Sequence, residues 1–67
     1  MPFVSIRILA GHTQETKDRI AEGTVKAITE ATGLPGEAVW VVFEDVTAED
    51  WFVGSKTVAA LKASGKL

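Results

Sequence analysis

The sequence predicts an α/β (α+β) domain of the β-α-β type, with two parallel strands joined by one main helix. Three observations predict it: an alternating apolar segment at the start, an amphipathic segment in the middle, and a continuous apolar run after it. This order and spacing are typical of two parallel strands with a helical crossover. Because the chain has 67 residues, we expect a single domain over residues 1–67.

The first strand is predicted over residues 2–10, where apolar side chains alternate. Successive side chains of a strand point to opposite faces, so two sets form. Gly11 and His12 interrupt the pattern and indicate a loop. The two sets are Val4, Ile6 and Ile8 on one face, and Phe3, Ser5, Arg7 and Leu9 on the other.

A helix is predicted over residues 14–32. Thr13 is a suitable N-cap, and Glu15 lies in the first turn, where the helix dipole favours an anion. Gly33 fits the position after the helix, and Pro35 prevents continuation. One arc of the predicted helix carries the apolar side chains, namely Ile20, Ala21, Thr24, Val25, Ala27, Ile28 and Ala31.

Residues 39–43 form a continuous apolar run that is typical of a strand covered on both faces. Residues 44–49 are predicted to form a turn, residues 51–54 a short apolar patch ending at a turn, and residues 56–66 a short helix. One main helix covers only one face of the sheet. We therefore expect a second copy of the chain to cover the other face.

The composition excludes several classes of function. There is no cysteine and one histidine, so neither a disulfide nor a metal site is expected. A net charge of −2 does not indicate the basic surface that binding of nucleic acid requires. The apolar runs are too short to span a membrane, and no signal peptide is visible, so we expect a cytoplasmic protein.

Pro2 follows Met1 directly and opens the first strand. Removal of the initiator Met1, which is common before a small residue, would give Pro2 a free secondary amine. Such an amine can act as a base or a nucleophile, whereas the same nitrogen in a peptide bond cannot. A proline here also suits a sheet edge without any catalytic role.

An ordered set of segments carries a resemblance to a known family. The segments are Met1-Pro2, Ile8-Leu9-Ala10-Gly11, Thr13-Gln14-Glu15-Thr16-Lys17, Gly33-Leu34-Pro35 and Glu49-Asp50-Trp51-Phe52-Val53-Gly54. Over residues 2–55 the chain resembles the 4-oxalocrotonate tautomerase family of the tautomerase superfamily. The resemblance implies β-α-β subunits packed through their sheets into a homohexamer made of three dimers.

The resemblance also implies a cofactor-independent isomerase. Pro2, after removal of Met1, would be the general base that moves a proton between carbon and oxygen of a small enol or unsaturated acid. Burial and nearby cations lower the pKa of such an amine, and a base with a pKa near the working pH is the efficient one. The implied partners are a small-molecule substrate and further copies of the chain, with no metal or organic cofactor.

The candidate substrate-binding residues are His12, Trp40, Trp51, Leu9, Val53 and Arg7. Relatives that act on dicarboxylates have arginines where this chain has His12 and Trp40, so we expect a substrate with less charge. Trp51 matches the family's pocket aromatic. Arg7 is either an interface ion-pair residue or a substitute cation. Phe52 stands where the family has a glycine, which alters the expected hairpin.

Two alternatives remain open at this point. In the first, a hydratase or dehalogenase would use a protonated Pro2 and a carboxylate that activates water. The candidate carboxylates are Glu44, Asp45, Glu49 and Asp50, for which a solvated acidic loop is the preferred interpretation. In the second, the chain is a non-catalytic oligomeric binding module.

Two of the candidate binding residues also have a purely structural interpretation. His12 fits a solvated turn, and Trp40 fits an apolar core.

Overall fold

Two parallel strands joined by a long helix form the body of the molecule, and a hairpin and a short helix follow it. The computed structural model describes all 67 residues. The elements are β1 (Phe3–Leu9), α1 (Gln14–Thr32), a 3₁₀ turn (Gly36–Ala38), β2 (Trp40–Val46), β3 (Phe52–Val53), β4 (Lys56–Thr57) and α2 (Val58–Ala63). The predicted β-α-β order with parallel strands is confirmed.

The register of the sheet places Phe3 opposite Trp40 and Leu9 opposite Val46. β2 is longer than predicted, because residues 44–46 continue the strand instead of starting a turn. The polar side chains in this stretch have partners that favour the extended form. The carboxylate of Glu44 accepts a hydrogen bond from Arg7 of β1 at 3.4 Å, and that of Asp45 accepts one from Lys17 of α1 at 2.5 Å.

The ends of α1 agree with the sequence prediction. The side chain of Thr13 accepts a hydrogen bond from the backbone N–H of Thr16 at 3.2 Å. At the other end Gly33 adopts φ 77°, a left-handed conformation that glycine adopts without steric cost, and its N–H bonds the Thr29 carbonyl at 2.9 Å. Both caps therefore satisfy backbone groups that the helix itself leaves unpaired.

The buried stripe of α1 is narrower than the predicted apolar arc. Ala27 and Ala31, which the arc included, are exposed. The reason is the width of the sheet: two strands lie only about 4.8 Å apart, so they cover a narrow stripe of the helix. The half-buried members of the arc are Ile20, Ala21, Thr24, Val25 and Ile28.

The two faces of the β1–β2 sheet differ in their cover. The face toward α1 carries Val4, Ile6, Ile8, Val41 and Phe43, all half-buried. The opposite face, called the open face below, exposes Phe3 by 62%, Trp40 by 55% and Val42 by 43%. The expectation that the second strand is covered on both faces is therefore not met within one chain.

The C-terminal segment folds back on the turn that follows β2. β3 and β4 form an antiparallel hairpin closed by Gly54 at φ 67°, so Phe52 is compatible with a hairpin. α2 is shorter than predicted because residues 56–57 belong to β4, and the Thr57 side chain caps the helix by accepting from the N–H of Ala60 at 3.0 Å. Gly65, at φ 75°, ends the segment.

The single chain is extended and thinly covered. Its radius of gyration is 15.2 Å, whereas a compact domain of this length has about 11 Å. Only Val39 and Val58 are buried. Large exposed apolar side chains next to each other, such as Phe3, Trp40 and Val42 on the open face, are typical of surfaces that associate with a partner. None of the helices has the length and apolar character required to cross a membrane.

Candidate active site

Pro2 and Trp40 lie together at the end of the sheet where the strands begin. The backbone N–H of Trp40 donates to the carbonyl of Pro2 at 3.0 Å. Pro2 is half-buried, and the Trp40 side chain is more than half exposed. The last turn of α1, which reaches this end, carries no basic residue. This end of the sheet thus exposes aromatic surface on the open face, and the helix brings no cation to it.

The remaining candidates lie at the opposite end, where the strands finish. Leu9 is the last residue of β1, and the exposed His12 follows it in the loop before α1. Trp51 and Val53 follow β2, and the backbone carbonyl of Trp51 accepts from the N–H of Val58 at 2.8 Å. This end therefore carries the half-buried indole of Trp51 and the exposed imidazole of His12.

The two groups of candidates do not meet within one chain. A strand rises about 3.3 Å per residue, so Pro2 and Leu9 are about 23 Å apart along β1. His12 is farther from Pro2 still. A substrate that touches Pro2 of one chain therefore cannot reach Leu9 or His12 of the same chain.

Arg7 occupies the open face in the middle of the sheet. Its Nε donates to the Glu44 carboxylate at 3.4 Å across the strand pair, and both side chains are mostly exposed. The ion pair lies within one chain, and the predicted role of Arg7 at an interface stays a prediction. As a substrate-binding residue Arg7 stays a prediction.

The acidic residues near the end of β2 fall into two groups. Glu44 and Asp45 each form an ion pair, with Arg7 and Lys17 respectively. Glu49 and Asp50 are exposed in the turn before β3, and neither forms an ion pair. None of the four lies near Pro2, because Trp40 is the residue of β2 at that end of the sheet and the first of the four, Glu44, lies four residues further along the strand.

One shallow depression is present, on the outer surface of α1. It is lined by Arg19, Glu22, Gly23 and Lys26, and no apolar side chain contributes. It arises because Gly23 has no side chain, and it contains no sequence-predicted site residue. No group of three or more His, Asp or Glu side chains lies close enough to hold a metal ion.

Sequence reasoning missed Lys56. In the hairpin, Lys56 is paired directly with Val53. Residues paired across an antiparallel ladder share one face, so the ammonium lies on the same side as a candidate binding residue. The signal was available: a two-residue Gly54-Ser55 connection between two short extended stretches predicts that their flanking residues pair.

Comparison with known sequences identifies relatives along almost the whole chain. Residues 2–61 match the family model Tautomerase, described as tautomerase enzyme. A probable tautomerase of Bacillus cereus is 36% identical over 59 residues, 88% of this chain and 97% of that protein. The 2-hydroxymuconate tautomerase of Comamonas testosteroni is 34% identical over 61 residues, 91% and 97% of the two chains.

Solved structures of 4-oxalocrotonate tautomerases and their homologues have the same fold as this chain. TomN, a 4-oxalocrotonate tautomerase homologue in the tomaymycin biosynthetic pathway, superposes with a TM-score of 0.91 at 34% identity, over 96% of this chain and 98% of that one. A heterohexamer 4-oxalocrotonate tautomerase from Chloroflexus aurantiacus gives 0.85 at 28% identity, over 91% and 98%. The fold is thus that of the tautomerases. The chain belongs to the tautomerase superfamily and, within it, to the 4-oxalocrotonate tautomerase family.

Proposed function

We propose that the protein is a cofactor-independent tautomerase of small enol acids, with Pro2 as its general base. The observation that carries the proposal is the position of Pro2 in a family of tautomerases. It is half-buried just before β1, and its carbonyl accepts a hydrogen bond from the backbone N–H of Trp40 at 3.0 Å. Removal of Met1 exposes a secondary amine at that position.

The proposed reaction is a proton transfer without net oxidation or reduction. The unprotonated Pro2 amine takes the hydroxyl proton of the enol, and the oxygen electron pair forms the keto carbonyl. The former C=C electron pair then takes a proton from the resulting ammonium at carbon. Apolar surroundings disfavour the ammonium, which lowers the pKa of such an amine toward the working pH and makes it an effective base.

We also propose that the site is completed between copies of the chain, in a homohexamer of three dimers. The candidates at the two ends of β1 are about 23 Å apart in one chain. The open face needs a cover, and a second copy would supply it. Pro2 of one copy would then face Leu9, His12, Trp51 and Val53 of another copy.

Intact-mass measurement and a tautomerase assay on phenylenolpyruvate test the proposal together. We expect the purified protein to lack Met1 and to convert the enol to its keto form. Pro2→Ala replaces the secondary amine by a primary amine, which is a poorer base in this position, and should lower kcat by about a hundredfold, within the range that a general base contributes. The control is Pro35→Ala, which changes the only other proline, at an exposed position in the connection between α1 and β2.

The outcomes are separable. Fully retained Met1 with normal activity would contradict the role of Pro2. Absence of activity on enol acids, in protein from which Met1 has been removed, would favour the non-catalytic binding module. Activity that is equal in wild type and Pro2→Ala would show that the secondary amine of proline is not required.

A further inference from the structure

The cations of the chain differ in whether they are free to bind a substrate. Arg7 is held by Glu44 at 3.4 Å, and Lys17 is held by Asp45 at 2.5 Å with little of its side chain exposed. Arg19 and Lys26 line the outer surface of α1, away from the sheet. The three others are Lys56 in β4, Lys62 in the last turn of α2, and Lys66 beyond it.

Lys56 is the one unpaired lysine or arginine in the β3–β4 hairpin, which also carries the candidate binding residue Val53. It is paired with Val53 across the hairpin, and Phe52 is paired with Thr57. The backbone N–H of Val58 donates to the Trp51 carbonyl at 2.8 Å, which extends the same ladder by one position. Alternation along β3 then places Trp51 on the side of Val53 and Lys56, and Phe52 on the opposite side.

This side of the hairpin, called the hairpin face below, combines three kinds of surface. Trp51 supplies a flat aromatic wall, Val53 an aliphatic contact, and Lys56 an ammonium group. An exposed ammonium with no carboxylate partner can form a charge-assisted hydrogen bond to a ligand carboxylate. The aromatic wall suits the unsaturated or aromatic part of the same ligand.

We propose that Lys56 binds the carboxylate of the enol-acid substrate while Trp51 packs against its unsaturated part. The inference rests on the proposed function, because the ligand of the hairpin face is taken to be the substrate that Pro2 acts on. Arg7 and Lys17 are poorer anchors, since either would leave a carboxylate of the protein unpaired on binding the ligand. One free ammonium matches a substrate with a single carboxylate.

The test compares an acid with its ester. kcat/KM is measured for phenylenolpyruvate and for its methyl ester, which has no carboxylate, with wild type, Lys56→Gln, Lys56→Arg and the matched control Lys62→Gln. We expect Lys56→Gln to lower kcat/KM for the acid about tenfold to a hundredfold, mainly through KM, as expected for a lost charged hydrogen bond. For the ester, kcat/KM should change by less than about twofold. Lys56→Arg should keep most of the wild-type kcat/KM for the acid, and Lys62→Gln should leave kcat/KM unchanged for both substrates.

Equal losses for acid and ester in Lys56→Gln would overturn the proposal, because a structural defect affects both. No loss for either substrate would overturn it as well. If wild type with a free Pro2 turns over neither, the proposed function fails, and calorimetric binding of cinnamate, an unreactive unsaturated monocarboxylate, tests Lys56 independently. Binding that is weakened in Lys56→Gln but not in Lys62→Gln supports the site, and equal or absent binding overturns it.

Discussion

The two ends of the β1–β2 sheet carry different chemistry. The amino end carries Pro2 and the exposed aromatic side chains of Phe3 and Trp40, and no basic residue occupies the last turn of α1. At the carboxyl end, the polar loop with His12 and the hairpin with Trp51 and Lys56 lie close to the ends of the strands. The proposed base is thus at one end, and the groups proposed to hold a polar substrate are at the other.

This separation has a physical origin. In a parallel strand pair the two amino ends meet at one edge and the two carboxyl ends at the other. The elements that follow β2 are two strands of two residues and a helix of six, which are too short to return to the amino end of the sheet. In the proposed assembly, contact between copies brings the two ends together, and the open face would supply the apolar surface for that contact.

The largest effect is expected from a charge placed between the ends on the open face. Val42→Glu would put a carboxylate in the proposed contact between copies, where desolvating an unpaired charge is costly. We expect smaller oligomers in light scattering and a loss of tautomerase activity of about a hundredfold or more. The control Ala63→Glu adds the same charge at an exposed position of α2. A Val42→Glu protein with unchanged size and activity would contradict the role of the open face.

A smaller effect is expected at the carboxyl end itself. Trp51→Ala removes the aromatic wall of the hairpin face, and we expect kcat/KM for phenylenolpyruvate to fall about tenfold. Trp51→Phe should keep most of the activity. Phe52→Ala is the matched control, because Phe52 lies on the opposite side of the same hairpin. Steady-state kinetics that show equal losses in Trp51→Ala and Phe52→Ala would indicate a structural role for both.

At the amino end, Trp40→Arg should alter specificity more than rate. Arginine binds a carboxylate through two hydrogen bonds, which tryptophan cannot do. We expect wild type to prefer phenylenolpyruvate over 2-hydroxymuconate, and Trp40→Arg to shift the kcat/KM ratio toward the dicarboxylate by about tenfold. Trp40→Met separates loss of the indole from gain of the charge. A wild-type preference for 2-hydroxymuconate would mean that another cation serves the second carboxylate, and Arg7 would be mutated first.

The parts of the structure that the sequence predicted well are those with local causes. The bounds of α1 follow from Thr13, Gly33 and Pro35, which act within one helical turn. The end of β2 was wrong because Glu44 and Asp45 read as turn residues when considered alone. Their extended conformation depends on Arg7 and Lys17, which are distant in sequence.

In the candidate site, too, residues recognised from local sequence differ from those whose position depends on the fold. Pro2 and Trp51 were identified from a resemblance along the chain. Lys56 was missed, since its place beside Val53 depends on the hairpin register and not on any single residue. The separation of Pro2 from His12 likewise appears only when both are placed on the same strand and loop.

The smallest effect is expected from the helix cap at the carboxyl end. Thr13→Ala removes the acceptor for the Thr16 N–H, and we expect the free energy of unfolding to fall by about 1 kcal/mol. Denaturant unfolding at a fixed chain concentration measures it, since association contributes to stability. Thr29→Ala, inside the helix, should cost less. Equal costs would show that the Thr13 cap contributes nothing specific.

A subunit-mixing experiment tests most directly whether the two ends meet between copies. Pro2→Ala and Trp51→Ala chains are co-expressed with different tags, and mixed oligomers are purified and assayed on phenylenolpyruvate. If each site uses Pro2 of one copy and Trp51 of another, random mixing restores fully wild-type sites in about a quarter of positions. The account predicts activity near a quarter of wild type, well above either parent. Activity no higher than the mean of the two parents would contradict it.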